Sequence, residues 1–362
     1  MAPNHAHAGC GSSAEAGQPE VARADKTRAT GARAGTPLIA QVFAALADGK
    51  SHSGQELAQA LGVSRSAVWK AAGALRELGA VLHAARNRGY RLAHPAEPLN
   101  SAKIRAALRR EVRERILSIE TAWSVPSTNT ALLARPNPPA GRGEIRLAEY
   151  QSAGRGRRGR AWIAPPGGAI CLSLSWTFRE VPPELGALGL VVGVCVRRAL
   201  GALNVPEVQL KWPNDLWVRG RKLGGVLIEL RAEAQGPACV VIGIGLNVGL
   251  GAGVLKQIAH TGIAATDLTS IGLTGTSRNR VVGAVVNECV RGLGEFEHQA
   301  LKPFLGDWRE ADALIGQAVN VSGAQGVAKG MARGIDLHGA LLLETPQGVQ
   351  RFISGDVSVR PA

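Results

Sequence analysis

Apolar positions change their period along the chain, and the changes divide it. Leu38, Val42, Phe43 and Leu46 recur at helical spacing, as do Leu57, Ala60 and Leu61 after Ser53, and Val68, Ala71, Ala72, Leu75 and Leu78 after Ser64. The two serines stand where a helix needs an N-cap oxygen, and Gly62 stands where a left-handed residue ends the middle helix. Residues 81–83 and 90–92 read as strands around the turn Asn87-Arg88-Gly89, and His94-Pro95-Ala96-Glu97-Pro98 reads as a linker. Beyond it the pattern predicts a helix over 101–110, a strand over 116–123 and a helix through Leu132 and Leu133. Strands follow over 145–150 and 169–176, then an apolar core helix over 185–203. Residues 208–212, 216–218 and 240–244 read as further strands, and short runs at 318–321, 327–335, 341–344 and 350–353 as a small β-barrel. Residues 1–35 lack apolar periodicity and read as a disordered tail. The expected organisation is therefore α/β (α+β) in three parts, 36–95, 100–312 and 315–362, the middle one a mixed sheet.

Composition narrows the classes. A chain of 362 residues with 45% hydrophobic content has ample length for a buried core, and a net charge of +14 points to anionic partners. Five cysteines, Cys10, Cys171, Cys195, Cys239 and Cys289, include no closely spaced pair. That argues against a zinc site or a disulfide framework and for a reducing compartment. Cys171, Cys195 and Cys239 sit in apolar runs, as small buried hydrophobes do. The N-terminus lacks the apolar core of a secretory signal, the His5/His7 pair reads as incidental, and Arg197 and Arg198 interrupt the most apolar stretch. A cytoplasmic protein without a membrane span is expected.

The helices of the first part have the layout of a winged helix-turn-helix reader of the major groove. Arg65, Ser66 and Lys70 fall on the outward face of the third helix. Trp69 falls there too, and the pattern leaves open whether it turns to the core. Arg86 and Arg88 on the hairpin could touch phosphate. Residues 36–95 hold seven Lys/Arg against three Asp/Glu, a surplus that fits DNA contact. A helical domain for protein contacts is the alternative.

Chemistry concentrates in the middle part. Arg155, Arg157, Arg158 and Arg160 alternate with Gly154, Gly156 and Gly159 between two predicted strands. Guanidinium forks on a glycine hinge suit phosphate or carboxylate, and four like charges predict a loop that is mobile alone and ordered by an anionic ligand. A nucleic-acid-binding Arg/Gly segment is the plainer reading. Ser127-Thr128-Asn129 could cap a helix or bond a small polar ligand. Lys211 and Asp215 fall near the mouth of one hairpin with Lys222 beyond its turn, and glycines lead into Asn247. Together these place cations, an acid and ligand-accommodating glycines in one sheet.

Ser127-Thr128-Asn129, the block 150–160, Lys211-Trp212-Pro213-Asn214-Asp215, Arg221-Lys222-Leu223-Gly224-Gly225 and Gly243-Ile244-Gly245-Leu246-Asn247 resemble the successive motifs of biotin protein ligases. With the helix-turn-helix in front, the chain is similar to the bifunctional bacterial form that also represses biotin synthesis. The resemblance implies activation of biotin by ATP with Mg2+ to biotinyl-5'-AMP, then transfer to a lysine of the biotin carboxyl carrier protein of acetyl-CoA carboxylase. It implies operator DNA as a second partner, a homodimer when liganded, and an SH3-like terminal barrel. By the same resemblance Ser127, Thr128, Asn129, Gln151, Arg155, Gly156, Arg157, Lys222, Gly225 and Gly243 bind biotin. Arg157, Arg158, Asn247 and Arg360 bind ATP or the adenylate. Arg157, Lys222, Asp215 and Lys211 serve catalysis, Asp215 as the candidate for magnesium or for the acceptor lysine's proton. Two positions depart from the pattern: Pro126 where relatives often carry an acid, and Ala264-Ala265 where a tryptophan covers the adenine. A metabolite-sensing transcription factor without ligase activity and a lipoate-type ligase are the alternatives.

Overall fold

The computed structural model describes residues 35–85, 89–231, 237–323, 326–353 and 358–361. The N-terminal tail with His5, His7 and Cys10, and the hairpin tip with Arg86, Asn87 and Arg88, lie outside the described residues.

Three helices, α1 (Leu38–Ala45), α2 (Gly54–Leu61) and α3 (Arg65–Glu77), precede a hairpin of β1 (Leu82–Ala85) and β2 (Gly89–Leu92). The caps are where the pattern puts them. Ser53 accepts from the Glu56 N–H in a reciprocal capping box, Gly62 takes φ 66°, and Ser64 accepts from the Ala67 N–H. Val42, Phe43, Leu46, Leu57, Val68 and Leu75 close one small core.

The next elements are α4 (Ser101–Ala107), α5 (Arg110–Arg113), β3 (Ile116–Val125), α6 (Thr128–Leu133), β4 (Gly143–Gln151), β5 (Ala169–Thr177) and α7 (Leu188–Gly201). They are followed by β6 (Gln209–Lys211), β7 (Asp215–Val218), β8 (Arg221–Arg231), β9 (Cys239–Asn247), α8 (Gly251–Ala259), α9 (Arg278–Gln299) and α10 (Leu305–Ala311). The single helix expected over 101–110 is two, because the backbone turns extended at Leu108 and Arg109. The strands form one seven-stranded sheet in the order β3-β4-β5-β9-β8-β7-β6, parallel only between β3 and β4.

Alternation along the central strands sets what each face carries. Leu172, Leu174 and Trp176 of β5 and Ile242, Ile244 and Leu246 of β9 join the core built with α7 and α9. Their neighbours Cys171, Ser173, Gly243 and Gly245 turn to the opposite face, where α6 packs on β4, β5 and β9. One face is thus sealed by apolar side chains and the other left small and polar.

The tail forms a five-stranded antiparallel sheet of β10 (Ala318–Gly323), β11 (Gly326–Ile335), β12 (Leu341–Thr345), β13 (Gly348–Phe352) and β14 (Ser358–Pro361), ordered β13-β12-β11-β10-β14. It shares the main core through Val319, Val321, Leu341 and Leu343. The proline-rich linker is pinned on both sides. The Ala96 N–H donates to Ala47, and the Glu97 carboxylate takes bonds from Lys103 and Ser277.

Candidate active site

One cleft on the small-residue face gathers nearly every residue singled out in the middle part. Ser127, Thr128, Asn129, Gln151, Arg155, Gly156, Arg157, Arg158, Lys211, Asp215, Lys222, Gly225, Gly243 and Asn247 line it. Arg360 is not among the lining residues; it is exposed on β14, and its charge is felt at Lys211.

One end of the cleft is neutral. Ser127 caps α6 by accepting from the Thr130 N–H at 3.4 Å, which sets Thr128 and Asn129 in the first turn, buried and facing the sheet. Gln151 Oε1 accepts from the backbone N–H of Thr128 at 2.8 Å and from its hydroxyl at 3.0 Å. Ser173 Oγ lies 2.7 Å from Thr128 Oγ1 and 2.5 Å from Asn129 Oδ1. A Cβ on Gly243 would fall 2.5 Å from the Asn129 amide oxygen, and one on Gly245 would enter the Trp162 ring at the same distance. Both glycines therefore make room for side chains that border the ligand space. Cys171 also lines this end, and burial pushes its thiol up to about 12, so it stays protonated and inert.

The other end is cationic. The loop 155–160 makes backbone bonds of its own. Arg155 bridges Ala161, Gly156 N–H donates to Arg160 at 2.7 Å, and the tip turns through Arg158 and Gly159 at φ 57° and 69°. Arg157 Nη1 reaches Asn214 Oδ1 at 3.4 Å. Across the cleft, the register of β6 with β7 sets Lys211 opposite Asp215, and Lys222 Nζ donates to Asp215 Oδ1 at 2.6 Å. Lys211 lies 4.4 Å over the Trp217 ring, and burial lowers its ammonium to about 8 despite the opposing pull of Asp215. The Trp212-Pro213 peptide between these two side chains is cis.

At the far wall Asn247, nearly fully buried, donates to the Thr266 carbonyl at 2.9 Å, while its Oδ1 has no partner among the described residues. Ile258, Thr261, Ile263 and Ala265 continue this wall. Among the described residues no group of three His, Cys, Asp or Glu side chains could hold a metal, and Asp215 is the only carboxylate among the lining residues. Trp162, Ser173, Ile258, Thr261 and Ile263 were not read from sequence, whereas Ala265 was, as a departure from the family pattern. Ser173 is one of three polar residues on its strand, with Ser175 and Thr177, so its place in the sequence does not single it out.

On the small domain, Arg65, Ser66, Trp69 and Lys70 are all exposed along α3, and Trp69, 64% accessible, does not turn to the core. The four described cysteines are buried and unpaired. No helix among the described residues is long and apolar enough to cross a membrane.

Known proteins carry the same parts. The profile of the biotin/lipoate A/B protein ligase family matches residues 122–247, an HTH domain residues 39–91, and the biotin protein ligase C terminal domain residues 314–360. The chain is 34% identical to the bifunctional ligase/repressor BirA of Escherichia coli (strain K12), covering 89% of this chain and 97% of that one. It is also 34% identical to the biotin--[acetyl-CoA-carboxylase] ligase of Mycobacterium tuberculosis over 68% and 94% of the two chains. The biotin protein ligase of Aquifex aeolicus, solved with biotin and ATP, matches with a TM-score of 0.56 and 28% identity, covering 69% of this chain and all of that one. The chain belongs to the biotin/lipoate A/B protein ligase family. Within it, the chain is similar over nearly its whole length to the bifunctional ligase/repressor form.

Proposed function

We propose that the protein is an ATP-dependent ligase that converts biotin to biotinyl-5'-AMP and transfers the biotinyl group to a lysine of a biotin carboxyl carrier protein. The same chain acts as a DNA-binding repressor of biotin synthesis with the adenylate as co-repressor. The observation that carries the ligase reading is the polarity of one cleft, with a neutral hydrogen-bonding end of Ser127, Thr128, Asn129 and Gln151 facing a cationic end of Arg157, Lys211 and Lys222. Biotin has the matching polarity, a neutral ureido ring at one end and a carboxylate at the other.

The chemistry follows from bringing two anions together. A biotin carboxylate oxygen bonds to the α-phosphorus of ATP, the bond to the bridging oxygen breaks, and pyrophosphate leaves with the electron pair. Arg157 and Lys222 offset the repulsion of the approach, and a preorganised cation of this kind favours the transition state because charge builds there. Arg158 and the more distant Arg360 serve the phosphates, and Asn247 presents an unpartnered acceptor that suits the exocyclic amine of adenine. Ala265, in a stretch that pairs with Lys222, leaves this wall without an aromatic cover. Magnesium binds readily through one carboxylate plus phosphate oxygens. Asp215 is the side chain that fits this role, and the ion supplies charge neutralisation on the polyphosphate.

In the second step the acceptor amine, once deprotonated, bonds to the acyl carbon and AMP leaves. Asp215, paired with Lys222 at 2.6 Å, is our candidate either for holding the magnesium ion or for taking this proton. Closure of the arginine loop keeps water from the anhydride. Both partners of the protein, the carrier and the operator, are cytoplasmic, and we assign the protein there, as a homodimer when liganded.

Biotin-dependent exchange of pyrophosphate into ATP tests the reading. We expect exchange with biotin and none with lipoate, and a fall on the order of 100-fold in Arg157→Ala, the usual cost of removing one oxyanion donor. A folded protein without exchange would leave a metabolite sensor, and exchange with lipoate alone would make it a lipoate-type ligase.

A further inference from the structure

Behind the neutral end of the cleft stands a carboxylate outside its lining. Glu229, on β8 opposite Val241, points the same way as Gly225 and Leu227, toward α6. Its Oε2 accepts from Asn129 Nδ2 at 2.7 Å, and its Oε1 accepts from Arg155 Nη2 at 3.0 Å. The same Arg155 nitrogen donates to Thr130 Oγ1 at 3.0 Å. One charge thus holds both a pocket amide and the first arginine of the loop.

We infer that Glu229 is a positioning residue that sets the hydrogen-bonding polarity of the ligand pocket and anchors the arginine loop to it. This rests on the cleft being the biotin site. An ionised carboxylate only accepts, so the amide facing it must present nitrogen. The amide oxygen then faces the Ser173 hydroxyl at 2.5 Å, in the space that Gly243 leaves open by carrying no Cβ. An amide carries two hydrogens and two acceptor sites. With one of each used by Glu229 and Ser173, one N–H and one lone pair remain for the ligand. That pair complements a carbonyl next to an N–H, which is what a cyclic urea offers. A ligand group with only donors or only acceptors meets one mismatch. The bond to Arg155 ties the base of the loop to the same carboxylate, so the orientation of the ring end and the position of the cationic end share one determinant.

Glu229→Gln keeps the shape and removes both the charge and the acceptor-only character. In the full-length protein, pyrophosphate exchange should show the KM for biotin raised about tenfold or more, the scale of losing a charge-assisted hydrogen bond, with the KM for ATP within about twofold. Trypsin should also cleave the loop of ligand-free Glu229→Gln several-fold faster than wild type. A merely structural role would lower the unfolding midpoint without this split. An unchanged biotin KM would overturn the inference. Should Glu229→Gln not fold, Ser173→Ala removes the donor at the other end of the amide and must give the same split; an unchanged biotin KM there is equally decisive. Calorimetric biotin binding reads Glu229 independently of exchange. Wild type that binds biotin without exchanging would therefore sink the ligase reading and leave this one standing, whereas wild type that binds no biotin sinks both.

Discussion

A methyl group added to Gly243 would come within 2.5 Å of the Asn129 amide oxygen, so that Asn129 has to leave its place over β9. We expect Gly243→Ala to weaken biotin binding about tenfold or more, since a pocket hydrogen-bonding group is displaced rather than merely loosened; calorimetric titration giving the wild-type affinity would refute the packing argument. Lys211 makes a different prediction at the same scale. Burial first, and the neighbouring charges of Lys222, Arg160 and Arg360, lower its ammonium, Asp215 opposes them, and the result is about 8. Below pH 8 it is a cation facing the cleft, and above pH 8 it loses that charge. With the cation serving the polyphosphate, the KM for ATP should be low below pH 8 and climb above it. Lys211→Arg, which keeps its charge across this range, should flatten the climb. A limb that persists unchanged in Lys211→Arg would assign it to another group.

One buried ion pair ties the linker, β4, β5 and α9 together. Arg278, at the start of α9 and 3% exposed, donates to the Glu149 carboxylate of β4 at 2.8 Å, to the Ala169 carbonyl of β5 at 3.1 Å and to the Glu97 carbonyl of the linker at 2.7 Å. Glu149 in turn accepts from the Leu99 N–H. Arg278→Met should therefore cost about 3–5 kcal/mol in urea unfolding, because it strands a buried carboxylate; a loss under 1 kcal/mol would mean water replaces the guanidinium. No local pattern announces such a tie, since its partners are 129 and 181 residues apart. Elements with strong local signals were legible: the capped helices at Ser53 and Ser64, the two strands flanking the arginines, and the motif-bearing strand ends. α9 was not read, although Val281, Val285, Val286, Cys289, Val290, Leu293 and Phe296 do repeat at helical spacing. Its valines and glycines are weak helix formers, and packing on α7 and β5 overrides that preference. The cleft was legible because its residues sit at strand ends and turns, whereas Glu229 and Ser173, inside strands, gain meaning only from the register that brings them to Asn129.

At the scale of the molecule, the helix-turn-helix part rests on the ligase part beside the far wall of the cleft. The Phe43 and Trp123 rings meet at 5.6 Å, and the Gly79 position lies against Pro165 and Val254. Val81 approaches Gly251 so closely that a Cβ there would fall 2.4 Å from its methyl. α8 therefore touches β1's approach at its start and lines the cleft with Ile258 at its end. A ligand that orders the far wall acts on an element already in contact with the small domain, which is a physical route for differential affinity rather than mere proximity. We expect biotinyl-5'-AMP to strengthen operator binding about tenfold, within the usual range of such couplings. Trp123→Ala removes the ring that Phe43 packs against, and Trp123 is not among the residues that line the cleft. It should cut that enhancement below about threefold while leaving pyrophosphate exchange within about twofold of wild type, because coupling energy and catalytic geometry reside in different contacts. Operator affinity measured with and without the adenylate decides it. An undiminished enhancement in Trp123→Ala would move the coupling away from this ring contact, and equal operator affinity in wild type with and without adenylate would remove co-repression altogether.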